Sequence, residues 1–449
     1  MDQPLPQDTL DALYGEHLRT VMRRADRALA ATGFDALVLH SGSPPTQFLD
    51  DQDYPYKVNP HFKAWVPVID NPGCALIHVP GGRPRLLFFR PDDYWHKPAD
   101  LPDAPWTSEI EVTPVAGRAA AAHWAAPHPG RTAFIGPEDS FPGEDPAAVN
   151  PPELLLRLHY DRAVKTAYEI ECIRRASVQG ARGHRAALDA FRAGVSEYAV
   201  HMRFLEASGQ REEETPYNNV VAYNEHAAVL HYQHLERRPP EVLRSLLIDA
   251  GAECRGYASD ITRSYAAAAG DFADLIAAVD GAQQALCREI VVGRDYREVH
   301  LMAHRLLGDV LHGCGLTKIP GESALELGIT GVFFPHGVGH LLGLQVHDVG
   351  GVLADAAGGE RLRPEGHPYL RLTRMLEPGV VVTVEPGIYF IDSLLAAARA
   401  DPRQAQQIDW AAVDALRPCG GIRIEDNVVA AAAGPENLTR DAFARVAAA

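Results

Sequence analysis

The sequence predicts an α+β protein in two parts, a smaller α/β part over residues 1–160 and a larger part over 161–449. Three observations predict it. The chain has 449 residues, enough for two or three domains that each bury a core. Its opening stretch alternates one helix-period segment with short apolar strands set apart by Pro/Gly clusters. The remainder holds long helix-period segments, and between them apolar strands that carry single charges.

The elements follow in order. Residues 8–32 place Leu10, Leu13, Leu18, Val21 and Met22 near helical spacing. FDALVLHSG then reads as a strand ending in glycine. AWVPVID, CALIHVP and RLLFFRP read as further strands, with turn formers such as PGGRPR between them. GPEDSFPGEDPAAVNPPELL (136–155) is rich in turn residues and lies near the boundary. Residues 166–193 read as one long helix, and others are predicted over 196–208, 272–290 and 296–313. The strands of the second part are SLLIDAGA, SDITRSYAA, VVVTVEPGIYF and GIRIEDNVVA.

Composition removes several function classes. Hydrophobic content of 46% with 22% charged residues is that of a soluble globular protein. A formal charge of -17 argues against nucleic acid, because binding phosphates needs a basic surface. The opening MDQPLPQDTLDALYGEH has neither the basic nor the apolar region of a secretory signal. No apolar run approaches the roughly 18 residues of a membrane span. The cysteines at 74, 172, 254, 287, 314 and 419 form no C-x-x-C pair. They read as reduced packing thiols in a cytoplasmic protein.

The charged strands are the first functional signal. SLLIDAGAECRGYASDITRSY reads as a β-hairpin around the turn-prone AECRG. Asp249 interrupts its first apolar run, and Asp260 shares a face with Thr262 on the return. Glu385 follows five residues of strong β preference. Arg423 and Glu425 share a face in GIRIEDN. Any one of these carboxylates could be a solvated strand end. Four of them in apolar strands are costly to bury unless cations offset them. With a histidine they form an oxygen-rich set suited to Mn, Co or Fe, with Zn possible. Four carboxylates exceed the needs of one divalent ion, and bridging would make a two-metal hydrolytic site.

The segment PHGVGHLLGLQVHDVG (335–350) supplies three histidines: His336, His340 and His347. Histidines satisfied in a core are an alternative for this segment taken alone. Pro335, Gly337 and Gly339 disfavour a helix, and the glycines do not fall as a dinucleotide fingerprint. They fit a backbone that passes close to a site.

These motifs, together with FLDDQDYPYKVNPHFKAWVPV, RPDDYWHKP and TPYNNVVAYNEHAAVLHY, span nearly the whole chain. In this order they resemble the pita-bread metallopeptidases, and among them the bacterial Xaa-Pro dipeptidases and their relatives the organophosphorus acid anhydrolases. The resemblance implies a C-terminal pita-bread domain behind a smaller N-terminal α/β domain. It implies two divalent metal ions per chain, Mn ahead of Co, Fe or Zn, held by Asp249, Asp260, His340, Glu385 and Glu425, with Asp260 and Glu425 bridging. Glu385 would also act as general base. His231, His336 and His347 would serve catalysis, with His347 at the scissile carbonyl or the developing oxyanion.

The same resemblance implies substrate contacts. Arg371 would hold the terminal carboxylate. Tyr217, Tyr296 and Trp95 would shape the pocket, with aromatic core packing as the alternative for each. Arg423 belongs to the same substrate-side set, more as support for Glu425 than as a direct contact. Asp51 lies on a loop that would reach a partner's site, which implies a homodimer. The implied reaction is hydrolysis of Xaa-Pro dipeptides by a metal-bridging hydroxide that attacks the carbonyl before proline. Hydrolysis of organophosphorus esters is an implied side reaction. The readings set against it are aminopeptidase P, with the same metal core, and a binding module that has lost its metals.

Overall fold

The computed structural model describes residues 7–92, 94, 95, 97–116, 130–140, 145 and 148–448. The chain enters through helix α1 (Gln7–Thr32), which buries Leu10, Tyr14, Leu18, Ala25 and Leu29 along one face. A five-stranded sheet follows: β1 (Ala36–His40), β2 (Ala75–His78), β3 (Arg85–Phe89), β4 (Glu111–Val115) and β5 (Thr132–Ile135), in the spatial order β4-β3-β2-β1-β5. β1 pairs antiparallel with β2 and parallel with β5, and all five of its residues are buried.

AWVPVID forms no strand, contrary to the sequence expectation. Asn59 caps a short helix, α2 (Pro60–Lys63), and Val66–Ile69 run on without ladder pairing. Pro67 in the middle has no N–H to give to a sheet. Trp65, Val66 and Val68 are nevertheless buried, so the apolar pattern reports burial rather than pairing. Of the turn-rich stretch 136–155, residues 141–144, 146 and 147 lie outside the described residues.

Helix α3 (Pro152–Arg162) leads into the second part. Helix α4 (Ala167–Arg192) opens on a capping box in which Thr166 and Glu169 satisfy each other's backbone N–H. Helix α5 (Glu197–Ser208) starts at the cap Ser196 and stops at Gly209, which takes the left-handed conformation. Helices α6 (Asp271–Arg288) and α7 (Tyr296–Gly313) complete the long helices, each near its predicted bounds.

The strands between them form small antiparallel sheets. β6 (Val220–Tyr223), β7 (Ser245–Asp249) and β10 (Thr262–Ala266) make one, in the order β10-β7-β6. β11 (Val380–Val384), β14 (Asp426–Ala431) and β15 (Gly434–Asn437) make another, and β12 (Gly387–Tyr389) pairs with β13 (Gly421–Arg423). The predicted hairpin is present, and a two-residue ladder of β8 (Glu253–Cys254) with β9 (Tyr257–Ala258) prolongs its tip.

The two parts share one core. Residues of α1 and the first sheet pack in a single cluster with Tyr168, Cys172 and Ile173 of α4 and with Leu342, Val381 and Val429. Polar contacts cross the same seam, where the two ring nitrogens of His17 meet Thr166 Oγ1 and the Ala64 carbonyl, each at 2.9 Å. All six cysteines are free thiols. Among the described residues, no helix is long and apolar enough to cross a membrane.

Candidate metal centre

Register brings the charged strand ends together. Asp249 ends β7 and stands opposite Thr262 of β10. A bridge links Thr262 to Glu425, between β13 and β14, and another links Leu341 to Val382 of β11. Glu385 follows β11 directly, and its N–H donates to the Val338 carbonyl at 2.8 Å. Segments far apart in sequence therefore deliver Asp249, Asp260, His340, Glu385 and Glu425 to one place.

The distances are short. His340 Nε2 lies 3.4 Å from Asp260 Oδ2 and 3.5 Å from Glu385 Oε1. Ligand atoms of Asp260, His340 and Glu425 all fall within 4.8 Å of one another. His340 donates its Nδ1–H to the Leu341 carbonyl at 3.0 Å, which leaves the Nε2 lone pair facing the carboxylates. Thr262 Oγ1 donates to Glu425 Oε2 at 2.6 Å. Gly339 has no room for a side chain, because a Cβ would stand 2.1 Å from the Thr383 carbonyl oxygen. This is the close backbone approach that the glycine-rich segment predicts.

The electrostatics are those of a site built for cations. Burial, and then the neighbouring carboxylates, push Glu425 well above the usual carboxylate range. Burial lifts Glu385 to about 7, and it raises Asp249 as well. Burial also works against a charge on Asp260, but contacts with His340 and Tyr217 hold its carboxyl below the usual value. Asp249 Oδ1 is buried with no hydrogen-bond partner among the described residues. An orphaned carboxylate oxygen, a directed imidazole nitrogen and mutually repelling acids fit divalent cations at this point.

The structure places the remaining predicted residues in three settings. His336, His347, His231 and Arg371 stand beside the centre. The His336 Nδ1–H donates to the Gly337 carbonyl, and its Nε2 accepts from the Tyr389 hydroxyl at 2.9 Å. The His347 ring meets the His340 ring edge-on, with centroids 4.4 Å apart. Partial burial, then His340 and Arg371, lower its pKa. His231 and Arg371 are exposed, and both are electrostatic neighbours of His347. The Tyr217 hydroxyl is buried facing Asp249 and Asp260 without a well-aligned hydrogen bond to either, and its pKa is raised by burial and by both acids.

Two residues sit behind the centre. Tyr296 is fully buried, and its hydroxyl donates to the Thr383 carbonyl at 2.7 Å, so it packs behind His340 and does not form a pocket wall. Arg423 is buried too. It bonds Asp249 Oδ2 at 2.5 Å, the Tyr389 hydroxyl at 3.0 Å and Thr262 Oγ1 at 3.2 Å, which uses its guanidinium on the protein and not on a substrate. Tyr296 therefore takes the core-packing alternative and not a pocket-shaping role, and Arg423 supports the carboxylates, as its sequence context implies, reaching Glu425 Oε2 at 4.0 Å as well as Asp249.

Asp51 and Trp95 are exposed. Asp51 contacts Asp50 and Gln52, and Trp95, 77% exposed, packs on Tyr94.

The family description "Metallopeptidase family M24" matches residues 171–432, and "Xaa-Pro dipeptidase, N-terminal domain" matches residues 12–160. A protein named Xaa-Pro dipeptidase from Stenotrophomonas maltophilia is 50% identical over 96% of this chain and 98% of its own length. One so named from Xanthomonas euvesicatoria is 49% identical over 98% and 100%. The chain belongs to metallopeptidase family M24, with the bacterial Xaa-Pro dipeptidases.

Solved structures agree in fold. Escherichia coli aminopeptidase P aligns with a TM-score of 0.68, covering 96% of this chain and 98% of that one at 23% identity. An aminopeptidase of Pseudomonas aeruginosa gives 0.69 with 96% and 99% covered, also at 23% identity. The architecture is the pita-bread fold behind a smaller N-terminal α/β domain.

Two residues around the centre were not singled out from the sequence. Tyr389 links Arg423 to His336, and Thr383 links the His340 backbone N–H (3.0 Å) to the Tyr296 hydroxyl. Period-two alternation from Gly387 and Val381 was the available signal, since it sets Tyr389 and Thr383 on defined strand faces.

Proposed function

We propose that this M24 chain hydrolyses Xaa-Pro dipeptides and releases free proline. The observation that carries the proposal is the meeting of four carboxylates and His340 beside a set of basic side chains, His231, His336, His347 and Arg371. Asp249, Asp260, His340, Glu385 and Glu425 would hold two divalent cations, and the oxygen-rich donor set favours Mn. Such ions, when bound, lower the pKa of a water molecule and polarise a carbonyl.

The chain's own residues do the rest. Glu385 would take the proton of the attacking water. His347, at the edge of His340, donates to the oxygen that becomes negative as the carbonyl turns tetrahedral. His336 is held by Gly337 and Tyr389, and with the exposed His231 it lines the substrate side. Arg423 holds Asp249 in place. Arg371 offers a planar pair of donors to a terminal carboxylate, which restricts the substrate to two residues. A proline amide has no N–H, so a site that does not need one accepts it.

We assign catalysis to residues 161–449 and a supporting and assembly role to residues 1–160. Phe48 and Leu49, 88% and 91% exposed, precede Asp51 on a loop of the first part, and Tyr94 and Trp95 of the same part are exposed as well. Such apolar exposure supports a homodimer in which this loop covers the partner's substrate cleft. The test is proline release from Ala-Pro by Mn-loaded protein, compared with Arg371→Met. KM should rise about tenfold or more in the variant, with bound metal unchanged. An unchanged KM would remove Arg371 from the reading.

A further inference from the structure

Three histidines outside the carboxylate centre converge on a second point. His300 and His304 lie one turn apart on α7 and share its face. His367 comes from the segment that leads to Arg371. Their ring centroids form a nearly equilateral triangle, 4.8 Å between His300 and His304, 4.7 Å between His300 and His367, and 4.6 Å between His304 and His367. One nitrogen from each ring lies within 4.8 Å of the other two. Three imidazoles around one tetrahedral ion, with metal–nitrogen bonds of ~2.0–2.1 Å, hold their centroids about 5 Å apart. The triangle already has that size.

The hydrogen bonding is a second, independent observation. His304 Nδ1 bonds Thr330 Oγ1 at 2.9 Å, and its buried Nε2 has no partner among the described residues. His300 Nδ1 is likewise buried without one, while His300 Nε2 is hydrogen-bonded to His367 Nδ1 at 2.9 Å. His300 and His304 are only 1% and 2% exposed. Partnerless buried ring nitrogens are uncommon in folded proteins. A ring anchored through one nitrogen with the other left free is how a ligating imidazole is oriented. Burial, and then the neighbouring imidazoles, keep His300 and His304 neutral near pH 7, with lone pairs available.

We propose that His300, His304 and His367 bind one borderline transition ion of the Zn(II) class, at a site separate from the carboxylate centre. Three neutral nitrogens with no carboxylate among them suit Zn, Ni or Cu and not Mn or Mg. Phe334 stands between the two sites, its ring 4.9 Å from that of His304 and 4.8 Å from that of His336. An ion here ties α7 to the segment carrying Arg371.

The experiment counts zinc on full-length protein. Wild type and His367→Tyr are equilibrated with the same buffered free zinc, and metal per chain is measured. His367 is partly exposed in a loop, so its replacement spares the core. Wild type should hold one zinc more per chain than the variant, and equal counts would overturn the proposal. Zinc-edge absorption of Asp260→Asn protein carrying one equivalent of zinc is the second measurement. It should show a shell of three imidazoles, and an oxygen-dominated shell would overturn the assignment.

Discussion

Asp260 is the residue on which the centre turns. It is buried, it faces His340, and it belongs to the group whose ligand atoms fall within 4.8 Å. Asp260→Asn keeps the shape and removes the charge. It should abolish hydrolysis and lower bound metal while circular dichroism stays unchanged, and full activity would exclude the two-cation reading. His347→Ala should instead keep its metal and lose on the order of 10²–10³ in kcat, the loss typical of a removed oxyanion donor. Loss of metal in that variant would mean that His347 is a ligand. The carboxylates were legible in the sequence because a charge inside an apolar strand contradicts its surroundings. The pairing of Arg423 with Asp249 was not, because the two lie 174 positions apart and no local pattern carries it. Tyr296 likewise reads as an aromatic near a motif, and only packing turns it inward.

At the scale of elements, the loop 335–350 owes its position to an ion pair at its far end. Asp348 is buried between Arg162 and Lys165, with Lys165 Nζ 2.9 Å from Oδ2. Burial opposes its charge, yet Arg162 and Lys165 hold its carboxyl at about 2. The folded value lies below the unfolded one. The pair's contribution is therefore complete above about pH 4 and is lost as pH falls toward 2. Asp348→Asn should lose roughly 3–5 kcal/mol at pH 7 by urea unfolding, because two cations are left buried. It should also flatten the acid limb between pH 2 and 4, and an unchanged limb would contradict the assignment.

Close packing acts on the same scale. Gly183 on α4 has no room for a side chain, since a Cβ would lie 2.5 Å from the Phe204 ring. Gly183→Val should cost about 1–3 kcal/mol as overpacking, measured by thermal unfolding. The long helices were legible to within a few residues because caps and apolar period agree, as at Thr166 and Ser196. AWVPVID was not, because alternation reports which side chains are buried and Pro67 decides whether the backbone pairs.

For the whole molecule, the shared core that ties α1 and the first sheet to α4 makes the N-terminal part a fixed support. That support presents the exposed Phe48–Leu49 loop. On the proposed homodimer, Leu49→Asp should shift gel-filtration mass from dimer to monomer and reduce activity with it. A fully active monomer would contradict the shared-cleft reading. The sequence points to an assembly only through the resemblance of the Asp51 loop, because exposed apolar residues acquire meaning only from the surface around them. The most direct test of the central claim is cleavage of Ala-Pro against Ala-Pro-Ala by one Mn-loaded sample whose metal content is known. Rapid proline release from the dipeptide, little cleavage of the tripeptide and about two ions per chain are predicted. Comparable cleavage of the tripeptide, or no cleavage of either by metal-loaded protein, would contradict the account.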